Sequence, residues 1–177
     1  NNNGIEQMLV ASMANLNKLS SLDNEKFSAR HNVNEIVDVE TIKIDSFCKE
    51  NKISPDFIRM DIEGYEVEVF QGMRELFKNS KAGFMIMLEL HPHAYSNERS
   101  FAKELEYLFE LNFNGKILIS AGEPVPPQYK ELGYSPDETI VSDGYLRGVY
   151  RNVKIEDIIP LTCFEPKASR YILLQKN

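Results

Sequence analysis

Two short segments of this chain carry residue types and spacing suited to acid–base chemistry. The first is Arg59-Met60-Asp61-Ile62-Glu63-Gly64-Tyr65-Glu66, and the second is Glu89-Leu90-His91-Pro92-His93. Each follows an apolar run that reads as a β-strand. A carboxylate tip beside a tip bearing a carboxylate and an imidazole suits a general base, because His or a carboxylate of raised pKa takes a hydroxyl proton near neutral pH. Purely structural uses compete with that reading. Glu63 and Glu66 can stabilise a helix N-terminus, Gly64 can permit a tight strand-to-helix turn, and His91 can simply bond a backbone carbonyl. A third possibility makes Asp61, Glu89 and His91 oxygen and nitrogen ligands of a metal. It ranks below the others, and no metal residue is assigned from sequence.

The elements that would position these tips follow from periodicity. Residues 57–62 (Phe57, Ile58, Met60, Ile62) form a short strand ending at Asp61 to Gly64. Val69, Phe70, Met73, Leu76 and Phe77 then recur at helical spacing and predict one helix of about three turns. Phe84 to Leu90 is a near-continuous apolar run, as expected of a parallel strand covered on both faces. Pro92 stops it, and Phe101, Ala102, Leu105, Leu108 and Phe109 mark a second amphipathic helix. Upstream, Glu35 to Ile44 reads as a strand feeding a short helix at Asp45-Ser46, while Asn1 to Asn34 reads as irregular structure or a weak helix. Lys116 to Ser120 and Arg170 to Gln175 are the last strands. The proline-rich stretch between them looks too irregular to be core and suits a lid or binding loop. The order predicts an α/β fold in one domain, residues 1–177, with a mostly parallel sheet and helices on its faces. In such sheets ligands gather at the carboxyl ends of the strands, where both tips lie.

An apolar fraction of 42% supports a packed core, and a net charge of −7 argues against nucleic acid as a partner. No stretch is long enough to span a bilayer and the start lacks signal-peptide character, so the reading is a cytoplasmic protein without membrane contact. Cys48 and Cys163 have no metal-ligand spacing around them and read as reduced thiols.

Three ordered motifs resemble those of the FkbM-type methyltransferase family. Its hallmark falls on Arg59, Asp61, Glu63, Gly64, Glu66, Phe70 and Gly72, within the run FIRMDIEGYEVEVFQGM. The segment TIKIDSF, Thr41 to Phe47, is similar to its element before a short helix, and MLELHP, Met87 to Pro92, to its Glu-x-His strand end. The resemblance implies a Rossmann-like class I fold, S-adenosylmethionine (SAM) as cofactor, and O-methylation of a sugar or secondary metabolite. It places Asp61 in the cofactor and acceptor crevice as base or orienting carboxylate. Glu89 and His91 would grip or deprotonate the acceptor, and Glu63 would border the cofactor or only support the turn.

One departure from the family pattern shapes the expectations. The chain has nine glycines and no GxG, so the Gly-rich turn that holds such a cofactor is missing. The chain then reads as the C-terminal portion of the domain, binding SAM poorly alone, with the Phe57 strand left open, capped by the N-terminal segment or paired with another chain as a homo-oligomer. The alternative is a non-catalytic relative that binds a saccharide or protein partner. The acceptor itself is not legible, although Tyr95, Tyr129, Tyr134, Tyr145 and Tyr150 are candidates for stacking on a sugar.

Overall fold

The computed structural model describes residues 4–11, 18–19 and 33–177. Strand β1 (Gly4–Ala11) pairs antiparallel with β2 (Lys18–Leu19) on one side and β3 (Val33–Thr41) on the other. The expected strand from Glu35 is therefore present, but Gly4–Ala11 is a strand and not an irregular segment or weak helix. Its ladder partner is the β-branched run of β3, a distant pairing that the composition of residues 4–11 does not reveal. The remainder of that N-terminal stretch lies outside the described residues.

The rest of the chain builds a six-stranded sheet. In chain order come α1 (Ile44–Asn51), β4 (Phe57–Met60), α2 (Glu66–Gln71), α3 (Arg74–Asn79), β5 (Met85–Glu89) and a 3-10 turn (Pro92–Ala94). After them come α4 (Phe101–Glu110), β6 (Phe113–Ser120), α5 (Pro127–Glu131), β7 (Glu138–Ser142), β8 (Tyr145–Tyr150), α6 (Ile155–Thr162) and β9 (Ser169–Lys176). The spatial order is β4-β5-β9-β6-β8-β7. Only β4 and β5 are parallel; every other pairing is antiparallel. The expected mostly parallel sheet is thus corrected to a mixed one. The cause is the last strand, which returns between β5 and β6 and runs against both. Among the described residues strand β4 lies at the edge of this sheet, with β5 on one side and the other side unpaired, the first of the arrangements expected for the Phe57 strand.

The proline-rich stretch also departs from expectation. It holds the β7–β8 hairpin, closed by a two-residue turn at Asp143 and Gly144 with φ of 51° and 77°. Asp-Gly with positive φ at both positions is the turn whose twist matches that of a hairpin. Far from being a loose lid, this stretch sends Tyr129, Tyr150, Ile158 and Leu161 into the core, with the Tyr129 and Tyr150 rings stacked 4.0 Å apart. Helix α6 approaches β6 where Gly115 leaves room: a Cβ there would lie 2.8 Å from Ile158 Cδ1.

The predicted three-turn helix is two short helices, α2 and α3, separated at Gly72 and Met73. Asp45 occupies the break. Its backbone N–H donates to the Gly72 carbonyl at 3.0 Å, and its carboxylate accepts from the N–H groups of Glu75 and Leu76 at 3.0 and 2.8 Å. The apolar face continues across the break, where Phe70 packs edge-on against both Phe77 and Phe101 at 5.2 and 5.1 Å. Among the described residues no helix is long and apolar enough to cross a membrane.

Candidate functional site

Because β4 and β5 run side by side in the same direction, their carboxyl ends open on the same edge, with Met60 opposite Leu88. Asp61, Glu89 and His91 therefore converge: one ligand-type atom from each lies within 4.8 Å of the others. Glu89 and His91 are buried, whereas the Asp61 side chain is about a third exposed and receives a hydrogen bond from Arg59 at 3.3 Å.

The chain leaves β4 through a sharp turn. Glu63 and Gly64 both have positive φ, 53° and 97°. That turn brings Glu66 back beneath the strand tips, fully buried at 0% exposure. Its Oε1 accepts from the Gly64 N–H at 3.2 Å and lies 2.7 Å from His91 Nδ1. With the Glu66 carboxylate accepting, Nδ1 is the donor and the ring is held with Nε2 facing the cluster. Nε2 stands 3.6 Å from Glu63 Oε2 and 3.8 Å from Glu89 Oε1. Glu66 therefore stands in the first turn of α2, as its sequence position suggests, and in addition orients His91. The Tyr95 hydroxyl accepts from the His91 N–H at 3.3 Å, and burial together with the Glu66 charge pushes its pKa up.

Three cationic groups that sequence spacing does not reveal complete the site. Arg170, at the start of β9, forms an ion pair with Glu89 Oε1. Burial pushes the Glu89 pKa up, and the Arg170 charge opposes that shift. Lys167 donates to the Leu90 carbonyl, and burial together with the Arg170 charge lowers its pKa to about 8. Arg99 clamps the scaffold from outside, donating to the Gly64 carbonyl at 2.9 Å, the Ala94 carbonyl at 2.6 Å and both Glu68 carboxylate oxygens. Of the tyrosines considered for stacking, Tyr129 and Tyr150 are core residues and Tyr134 bonds Asp157 at 2.6 Å. Tyr145 remains exposed, beside Arg147.

Two parallel strand tips carrying Asp61, Glu63, Glu89 and His91, backed by the buried Glu66 carboxylate, gather a polar cluster at the end of an α/β sheet. A family model described as the methyltransferase FkbM domain matches residues 2–114, which include both tips, and the chain belongs to that family. No curated protein and no solved structure matches the chain. Arg170 and Lys167, which steady the Glu89 side, come from beyond the matched segment.

The family implies a methyl-donor nucleotide, and the described residues fit that group on one side. The tips present a polar wall of Asp61, Glu63, Glu89 and His91. The turn at Gly64 does not offer a nucleoside cradle, because a Cβ there would already meet Ala94 Cβ at 2.4 Å.

Proposed function

We propose that the protein is a SAM-dependent O-methyltransferase acting on a hydroxyl of a small-molecule or glycan acceptor, with Asp61, Glu89 and His91 on the acceptor side. The observation carrying this reading is the convergence of the three groups at neighbouring parallel strand tips, with His91 oriented by a buried Glu66. When bound, the donor supplies an activated methyl group on a positively charged sulfur. The tasks left to the chain are to align the acceptor oxygen and to receive its proton. Asp61, the most accessible of the three, takes the hydroxyl proton as the oxygen forms its bond to the methyl carbon. His91 Nε2 and Glu89 fix the direction of the hydroxyl. Asp61 and Glu63 border the donor side of the crevice, and the lack of a GxG turn supports weak donor affinity in these 177 residues alone.

The test is turnover against acceptor concentration in the intact protein at saturating donor. Asp61→Asn is expected to slow methyl transfer by the ~10²–10⁴-fold of a lost general base, with little change in melting temperature. Near-normal turnover in that variant, or a loss that merely tracks unfolding, would remove the assignment.

A further inference from the structure

The cluster at the strand tips contains an electrostatic conflict among the described residues. His91 is about 3% exposed, and its Nδ1 is committed to Glu66. With Nδ1 given to Glu66, Nε2 is the nitrogen left to face the cluster. It makes no hydrogen bond among the described residues and stands 3.6 and 3.8 Å from Glu63 and Glu89, with Asp61 closing the group. A buried ring nitrogen without a hydrogen bond, set among three carboxylates, calls for something positive in the gap.

We propose that Asp61, Glu89 and His91 bind a divalent first-row transition cation in that gap. Two opposed ligand bonds of about 2.2 Å span about 4.4 Å, within a few tenths of an ångström of the observed 4.8 Å limit. The imidazole nitrogen favours a transition cation over magnesium or calcium, which prefer all-oxygen sites. The Glu66–His91 pair is the backing expected of a metal-bound imidazole: a carboxylate on the far nitrogen fixes the tautomer and makes the near one more basic. Arg59 pairs with Asp61, and Arg170 pairs with the same Glu89 Oε1 that faces His91; both guanidiniums compete with a cation for those carboxylates and limit the affinity. This proposal rests on the O-methyltransferase reading for its role. The bound cation would take the acceptor oxygen as a further ligand, so that Glu89 and His91 orient the hydroxyl through it, and ease loss of its proton to the Asp61 oxygen that the cation leaves free.

The test needs neither donor nor acceptor. The protein is stripped with a chelator, dialysed and titrated with Mn²⁺, with electron paramagnetic resonance reporting bound ion and any coupling to a ring nitrogen. One bound Mn²⁺ per chain with nitrogen coupling is expected. Asp61→Asn should weaken it at least 10-fold, Glu66→Gln should weaken it about 10–100-fold, and Glu75→Gln, on exposed α3, should leave it unchanged. A folded protein that takes up no Mn²⁺ overturns the proposal. So does uptake without nitrogen coupling, or a nitrogen-15 histidine spectrum showing His91 doubly protonated with diamagnetic Zn²⁺ present, since a proton then fills the gap. If the buried variants do not fold, nitrogen coupling in the unaltered protein decides. Cation binding without methyl transfer to any hydroxyl counts against the function reading alone, and methyl transfer without cation binding counts against the cation alone.

Discussion

Gly64 and Ala94 approach so closely that a Cβ on residue 64 would lie 2.4 Å from Ala94 Cβ. The turn after β4 is thereby pressed against the turn after β5, which fixes the spacing of Asp61 and His91. Gly64→Ala is expected to lose stability by the ~1–3 kcal/mol of an overpacked contact, plus a share for an L-residue at φ of 97°. Urea denaturation measures it. Adding Ala94→Gly should recover the contact share only. Full recovery would show that backbone conformation contributes nothing, and no initial loss would mean that the turns are not in contact.

Arg99 joins both turns through one guanidinium. Arg99→Lys keeps the charge but cannot reach two carbonyls and a carboxylate with a planar fork. A destabilisation of about 1.5–3 kcal/mol is expected, in the range of hydrogen bonds to charged groups. An unchanged denaturation midpoint would mean that the clamp is dispensable.

Asp45 caps α3 at the break between the two helices. Asp45→Ala should cost about 0.5–2 kcal/mol and Asp45→Asn distinctly less, because the amide oxygen can still accept. Equal melting temperatures for the two variants would refute the capping role.

Much of the site was legible because its residues are local in sequence. The strand-turn-helix from Phe57 to Phe70 and the Glu89-x-His91 strand end fall in short windows, and parallel neighbours bring such ends together. Glu66 lay in the same window, yet position alone suggested a helix-dipole charge, since partnership with His91 depends on the depth of the fold. Arg99, Lys167 and Arg170 were hidden because their roles come from pairings with Glu68, Leu90 and Glu89, across 31 to 81 residues. The antiparallel sheet was hidden for the same reason: an apolar run such as Tyr171 to Leu174 gives no direction. The Asp143-Gly144 turn was a readable hairpin signal, obscured by the surrounding prolines.

Cys163 offers a check by pH. Burial pushes its thiol from an ordinary value of 9.0 up to about 12. The folded state therefore holds a proton that the unfolded chain has released. This stability is fully present below pH 9 and is lost as pH rises through 9 towards 12. Tyr150, pushed up to about 12 by burial and by the Glu123 charge, adds to the fall at the alkaline end. Urea midpoints between pH 8 and 11 should decline, and Cys163→Ala should flatten the first part of that decline. A parallel curve for the variant would show that the thiol is not responsible.

Strand β9 has a consequence for how the protein comes into being. It pairs with β5 on one side and β6 on the other, so residues Ser169–Lys176 join the parallel pair to the antiparallel half. During synthesis from the N-terminus, β4 and β5 emerge long before that partner, and the apolar flank of β5 must wait unpaired. The Glu89 side of the crevice waits with it, since Arg170 and Lys167 arrive on the same late segment. The Glu89 side of the cluster is therefore completed only when the last strand is inserted, and a nascent chain cut before Ser169 would present an open strand edge to chaperones and to its own kind.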